Sequence, residues 1–378
     1  MKRRFWIFSI ILQSLALYLF VTGFFPPRVS VSPEEKNSDF QCDGEIGEQL
    51  DETLDEVSGG KVDEALIEKF ILVVIDGWRE DFLFGRDSME FVLKSLKSKN
   101  AFGVGCKVQH PTVTMPRLKA ILGGIVPSYL DVALNLASSE FLEDNWLQKA
   151  AKSKKKINFF GDDTWMKMFP SEVFGKSDGT VSFFVTDYTE VDNNVTRHLE
   201  SEIREEIDSW DIMVLHYLGL DHVGHSLGAR SPLIDVKLKE MDRIVEEIYS
   251  NMTESNKTFL ILVLGDHGMA LEGGHGGSTY LETHVPVVGF PKLKKVFEVS
   301  SKKTIIEQVD LAPTISFFLG IEVPLNNLGV DFLSEILEED ENRKLLIYSL
   351  MKNGNQLKNI IKKSIKKLDP ELVRQFFK

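Results

Sequence analysis

The sequence predicts an α/β domain with a mostly parallel central sheet and helices on both faces. Three continuous apolar runs, FILVVID, WDIMVLHYL and TFLILVLGD, read as strands buried on both sides, as parallel strands are. Between them lie amphipathic stretches of helical length, such as KLKEMDRIVEEIYS. That alternation builds a parallel sheet covered by helices. Each of the three runs also ends on, or just before, an acid or a histidine. In open α/β sheets, ligands bind outside the carboxyl ends of the strands.

The elements follow in order. Phe5 to Phe25 is an uncharged apolar stretch of 21 residues, long enough to span a bilayer. Lys2, Arg3 and Arg4 precede it, which orients the N-terminus to the cytoplasm and the rest to the lumen. Residues 1–28 are therefore expected to form a transmembrane signal anchor. A cleaved signal peptide is the alternative. The run is long for one, and Pro26 and Pro27 follow where a small-residue cleavage site would be. Residues 29–64 are acidic and without periodicity, and read as a luminal stem. Residues 65–335 read as the catalytic domain. Its expected strands include FILVVI, INFFGDD, SFFVTD, DIMVLHYL, FLILVLGD and VPVVGF. Its expected helices include MEFVLKSL, Pro116–Gly124, a helix through the 190s and 200s, KLKEMDRIVEEIYS and Ile305–Leu319. Residues 336–378 read as a charged helical tail. A solvated surface helix is the plainer reading, and a basic amphipathic helix at a membrane surface is the alternative.

The formal charge is −13, which argues against nucleic acid as a partner. Asn194, Asn251 and Asn256 head N-x-[ST] sequons, which accord with a lumen. Asn251 and Asn256 lie in NMTESNKT, read as a polar loop. Two cysteines, Cys42 and Cys106, leave both a bridge from stem to domain and two separate thiols open.

Six residues carry the chemistry: Asp76, Asp221, His225, Asp266, His267 and His275. Imidazole and carboxylate are good zinc ligands, and carboxylate oxygens also suit manganese. Two divalent cations about 4 Å apart can clamp both oxygens of an in-line displacement at phosphorus. Asp221 and His225 are four apart and share a face if that segment is helical. Thr114 stands before Pro116 and the run RLKAILGG, at the start of a helix whose free N–H groups favour phosphate. A metal can lower the pKa of its hydroxyl and make it a nucleophile. Thr112 is the rival, and Thr114 is preferred because it lies nearer the proline. His222 reads as a residue supporting the ligands. His110, His198, His216 and His284 read as structural or surface residues.

The order Asp, Thr, Asp-x-x-x-His, Asp-His, His resembles the alkaline phosphatase superfamily, in its phosphodiesterase and phosphotransferase branch. PTVTMPRLKAILGG, FFGDDTWMKMFP, FFVTDYTEVDNNVTRHL, LHYLGLDHVGH, SPLIDVKLKEMD and GDHGM together resemble the GPI ethanolamine phosphate transferase family. VDNNVTRHL and SPLIDVKL are most similar to its type 2 branch. The likeness runs from about Phe70 to Val330. It implies an alkaline phosphatase-like fold. It also implies one metal on Asp221, His225 and His275, and a second on Asp76, Asp266, His267 and the Thr114 oxygen. The implied donor is phosphatidylethanolamine, and the implied acceptor is the second mannose of a GPI glycolipid in the endoplasmic reticulum membrane. A small multi-span membrane subunit is an implied partner. An acid would meet the ethanolamine ammonium, with Asp162, Asp163 and Asp192 as candidates. Asp163 and Trp165 are the candidate substrate contacts, although a core tryptophan fits Trp165 equally.

The family carries a multi-span region after the luminal domain, and no apolar run of that length follows residue 25 here. The chain is thus expected to correspond to the luminal catalytic part. A metal-dependent phosphodiesterase, a type 3 transferase acting on the third mannose, and a silent partner are the competing readings. The complete ligand set argues against silence.

Overall fold

The computed structural model describes residues 2–24, 65–127, 140–293, 304–337 and 339–367. The strands are β1 (Lys69–Ile75), β2 (Phe102–Lys107), β3 (Ile157–Asp162), β4 (Lys176–Thr180), β5 (Ile212–Tyr217), β6 (Phe259–Gly265), β7 (His284–Lys292) and β8 (Ile305–Glu307). The principal helices are α1 (Lys2–Phe24), α2 (Glu90–Lys97), α3 (Thr114–Gly123), α4 (Trp146–Lys152), α5 (Glu190–Thr196), α6 (Gly219–Leu227), α7 (Pro232–Glu254), α8 (Leu311–Phe318) and α9 (Glu339–Lys367).

One sheet runs in the order β4-β3-β5-β1-β6-β7-β2-β8. Only β7 is antiparallel, to β6 and β2. The central strand explains the layering. Successive side chains of a strand point to opposite faces. Phe70, Leu72 and Val74 join the core beneath α3, α4 and α8. Ile71, Val73 and Ile75 join the core beneath α2, α6 and α7. All six are fully buried, and each contributes about 1.5–3 kcal/mol by leaving water. A strand apolar on both faces therefore needs the middle of a covered sheet. The expected mostly parallel sheet with helices on both faces is what the chain forms.

Several elements depart from the sequence reading. SFFVTD is a turn rather than a strand. The strand is Lys176–Thr180, and Phe183 and Phe184 stand 80% and 70% exposed beyond it. Ile305–Glu307 is an edge strand, so the helix there begins only at Leu311. The helix through the 190s and 200s is broken: α5 ends at Thr196, and a separate π-helical turn covers Ser201–Glu205. FGVGCK forms β2, whose glycines hid it. Cys106 is buried on β2, whereas Cys42 and the stem lie outside the described residues. Asn251 sits in the last turn of α7 and accepts from Arg204 Nε at 3.0 Å, so only Asn256 occupies the loop.

The charged tail is docked rather than free. On α9, Leu346 and Ile360 are buried. Asn353 Oδ1 accepts the Asp331 N–H, and Gln356 Nε2 donates to the carbonyls of Leu325 and Asn327. At the other end, α1 is 23 residues long, with side chains from Trp6 to Phe20 largely exposed. Among the described residues, no helix is long and apolar enough to cross a membrane.

The start of α6 is fixed by a buried acid. Asp192 Oδ1 accepts the N–H groups of Leu218 and Gly219, both at 3.0 Å. Its other oxygen pairs with Lys237 Nζ of α7 at 2.5 Å. Both side chains are buried. Asp192→Ala is predicted to cost about 3 kcal/mol, because it strands two buried amides and leaves the buried Lys237 ammonium with only Glu240 and the Tyr188 carbonyl. Urea unfolding measures this, and a loss under about 1 kcal/mol would contradict it.

Candidate metal centre

The carboxyl ends of four adjacent strands, β3, β5, β1 and β6, meet at one buried cluster. Asp76 follows β1, and Asp266 and His267 follow β6. Gly77 turns the chain sharply after Asp76 with φ +71°, a conformation that favours glycine. Its N–H reaches Asp266 Oδ1 at 3.3 Å. A Cβ there would stand 2.7 Å from the Met269 methyl and 3.2 Å from Asp221 Oδ1, so only glycine lets these ligands close in. Asp221 and His225 lie one turn apart on α6, with His225 Nε2 3.3 Å from Asp221 Oδ2. His275 comes from the loop after β6, and its Nε2 lies 3.7 Å from Asp221 Oδ1. Its ring stacks on that of His267 with centroids 4.0 Å apart.

Thr114 is the first residue of α3. Its Oγ1 donates to Asp76 Oδ2 at 3.3 Å and lies 3.4 Å from His267 Nε2. Thr112 plays a different part. Its hydroxyl donates to the Gly277 carbonyl at 2.9 Å and accepts the Gly276 N–H at 2.8 Å. Its own carbonyl accepts from His275 Nδ1 at 2.8 Å. Thr112 thus holds the His275 loop, and Thr114 faces the cluster.

The rings are oriented as ligands should be. His267 donates Nδ1–H to the Gly268 carbonyl at 2.9 Å, and His275 does so to Thr112. Each Nε2 therefore keeps its lone pair and faces the carboxylates. Asp76, Asp266 and His267 form one group able to hold a cation, with donor atoms within 4.8 Å of one another. Asp221, His267 and His275 form a second.

The electrostatics ask for positive charge. Burial pushes the Asp221 and Asp266 carboxyls well up, and the neighbouring Asp76 carboxylate pushes them further. Burial also acts to raise Asp76, but His267 and His216 beside it leave it below the usual carboxylate range. Burial, then the adjacent His275, brings His267 down to about 3. Asp76 Oδ1, Asp221 Oδ1 and Asp266 Oδ2 are buried without any hydrogen-bond partner. Orphaned carboxylate oxygens facing bare imidazole nitrogens fit divalent cations and little else.

The chain has well-matched relatives. Residues 175–307 match the sequence profile of the family described as type I phosphodiesterase / nucleotide pyrophosphatase. A GPI ethanolamine phosphate transferase 2 of Eremothecium gossypii is 42% identical over 341 residues, covering 84% of this chain and 40% of that protein. The human GPI ethanolamine phosphate transferase 2, catalytic subunit, is 35% identical over 369 residues, covering 94% of this chain and 36% of that protein. The chain belongs to the GPI ethanolamine phosphate transferase family. It spans less than half the length of these two relatives. The fold is also that of murine ectonucleotide pyrophosphatase / phosphodiesterase 5, with TM-score 0.51 and 12% identity over 71% of this chain and 100% of that one. The C-terminal periplasmic domain of EcEptC from Escherichia coli matches with TM-score 0.50 and 12% identity, over 69% of this chain and 84% of that one.

Within this family member, the structure gathers Asp76, Thr114, Asp221, His225, Asp266, His267 and His275. It does not gather the candidate substrate contacts. Trp165 is fully buried and donates to His216 Nδ1 at 2.9 Å, so its indole is closed to substrate. Asp163 pairs with Lys167 at 2.6 Å. Asp192 is committed to α6. His216, read as a structural or surface residue, and Asp162, a candidate for the ethanolamine ammonium, both stand beside the metal cluster. Both are buried, and with Asp76 they form a third close group. The signal for His216 was a histidine inside an apolar strand, which must find a partner. His222 lies buried on α6 and ties it to the preceding loop, with Nδ1 2.8 Å from the Asp187 carbonyl.

A carboxyl raised in the folded state adds stability below its unfolded pKa of about 4, and that stability is lost as pH rises through the folded pKa. Asp221 and Asp266 are such groups. The depressed Asp76 acts in the opposite sense, but only below about pH 4. Buried His267 acts the other way, adding stability as pH rises toward its unfolded value of about 6.5. The metal-free chain is thus predicted to lose stability as pH rises beyond that, and zinc to restore more at the higher pH. Asp266→Asn should flatten that slope and raise the metal-free Tm at pH 8 by about 2–4 °C, while weakening zinc binding. Calorimetry across pH checks this, and an unchanged slope in the variant would contradict it.

Proposed function

We propose that this chain carries the catalytic domain of a phosphoethanolamine transferase. It would move the group from phosphatidylethanolamine to a mannose, the second by motif likeness, of a GPI precursor. One observation carries the reading: the Thr114 hydroxyl sits between Asp76 and His267 at the start of α3. Two divalent cations, zinc by ligand type with manganese as the other candidate, would neutralise phosphoryl charge and lower the hydroxyl pKa. Asp76, Asp266 and His267 would hold one of them, and Asp221, His225 and His275 the other.

The chain's own residues supply the remainder. Asp76 Oδ2 accepts the Thr114 hydrogen and aims Oγ1 outward. The first N–H groups of α3 lack acceptors within the helix and favour a phosphate in front of them. Oγ1 attacks phosphorus, the bond to the glycerol oxygen breaks, and diacylglycerol leaves with a proton. A mannose hydroxyl then attacks the same phosphorus, and Thr114 leaves as its hydroxyl.

The anchor and compartment belong to this proposal. The uncharged run Phe5–Phe25 supports a signal anchor, and the sequons Asn194, Asn251 and Asn256 support a luminal domain in the endoplasmic reticulum. Residues 29–64 would be its stem and residues 65–335 the catalytic domain, with the helix after 335 docked against it. A small multi-span membrane subunit would be its partner. Hydrolysis of phosphodiesters is the second reading, favoured by the phosphodiesterase profile over 175–307.

Incubating the purified chain with zinc and phosphatidylethanolamine should place phosphoethanolamine on Thr114, read by peptide mass spectrometry. Thr114→Ala should abolish it and lower turnover at least about a thousandfold. In cells lacking the type 2 transferase, the native chain should restore phosphoethanolamine on the second mannose. Modification of the third mannose would make it type 3. Release of phosphoethanolamine to water, with none passed to mannose, would make it a hydrolase.

A further inference from the structure

His216 is wired oppositely to the ligand rings. His267 and His275 give their Nδ1–H to backbone carbonyls, which leaves Nε2 bare. His216 Nδ1 instead faces Trp165 Nε1 at 2.9 Å. An indole N–H can only donate, so Nδ1 must be the bare nitrogen. The neutral ring then carries its hydrogen on Nε2, which faces Asp76 Oδ2 at 3.5 Å, longer than a formed hydrogen bond, and has no hydrogen-bond partner of its own. Both rings are fully buried, so solvent cannot substitute for either partner.

We propose that Trp165 and His216 are positioning residues for Asp76, the indole fixing the tautomer that points Nε2–H at Oδ2. This rests on the metal reading given above. Oδ2 also takes the Thr114 hydroxyl, so both of its neighbours are hydrogen-bond donors. Oδ1 is left as the partnerless oxygen, 3.4 Å from His267 Nε2. The arrangement assigns one oxygen of Asp76 to hydrogen bonding and the other to ligation.

The same wiring bears on the group formed by Asp76, Asp162 and His216, whose donor atoms lie within 4.8 Å of one another. Proximity alone would suit a third cation there. Ligation would need the Nε2 lone pair, which would move the hydrogen to Nδ1 and set it against the Trp165 N–H. That group is therefore a hydrogen-bonded support and takes no metal. Asp162 stays with its own loop, where its Oδ1 accepts the Thr164 N–H at 3.0 Å and the Thr164 hydroxyl at 2.9 Å.

The test is the nitrogen-15 ring spectrum of the full chain labelled at histidine and tryptophan, without metal and with zinc chloride, with His216 assigned in the native chain by through-space contact with the Trp165 indole N–H. The expected spectrum shows a bare Nδ1 and a protonated Nε2 on His216, both unmoved by zinc. Trp165→Phe should let the ring exchange between tautomers and weaken zinc binding about tenfold. His216→Gln, whose amide can donate near the Nε2 position, should retain most of the affinity that His216→Leu loses. Zinc uptake with the hydrogen on Nδ1, or a zinc-shifted Nε2, overturns the inference alone. So does native zinc affinity in a folded Trp165→Phe chain. A native chain that takes up no zinc overturns the metal reading and this inference with it. The native spectrum decides the tautomer even if the variants fail to fold.

Discussion

Four buried carboxyls, Asp76, Asp162, Asp221 and Asp266, converge where β3, β5, β1 and β6 end, and the architecture is organised around tolerating them. Like charges at this spacing and depth repel strongly. Such a group persists only where the surrounding structure is firmly fixed. Here the fixing comes from a sheet buried on both faces. Core side chains of β1 alternate between two packed layers, so the strand ends cannot drift apart without exposing both. Arg117, fully buried in α3, adds a charge beside the cluster, and burial lowers its pKa to about 10. It hydrogen-bonds Gln308, whose Nε2 is donated to the Asp266 carbonyl.

Hydrogen bonds divide the imidazoles by task. A ring that gives Nδ1–H to a carbonyl keeps Nε2 free to ligate, and a ring that receives an N–H is left to donate. The carbonyls of Gly268 and Thr112 leave Nε2 of His267 and His275 bare, while one buried tryptophan leaves His216 with its hydrogen on Nε2. His225, on an exposed turn of α6, is the most open of the set. It is the place where a cation would meet solvent and substrate first.

Much of this was legible in the sequence for a physical reason. Parallel strands buried on both faces must be continuously apolar, so β1, β5 and β6 announced themselves. Charged residues directly after such runs have no packing role, so Asp76, Asp221, Asp266 and His267 stood out. What could not be read was contact between distant segments. Trp165 and His216 are 51 residues apart, and each alone resembles core. Lys237 and Asp192 are far apart in the chain, and only the fold brings them together in the core, where Asp192 serves α6 rather than a substrate ammonium. Helix α9 lacked a clean apolar stripe because it docks partly through Asn353 and Gln356, whose amides carry no periodic signal.

The clamp at Thr112 has a kinematic consequence. It ties the segment before the nucleophile to the loop bearing His275 through three hydrogen bonds within two residues of Thr114. Thr114 and the His275 loop therefore move as one body. The relay proposed above, which would release one lipid and wait for another, would have to keep its geometry while the cleft empties and refills. In this chain, breathing of the cleft would carry Thr114 and His275 in step, so the spacing between attacking oxygen and ligand survives the interval.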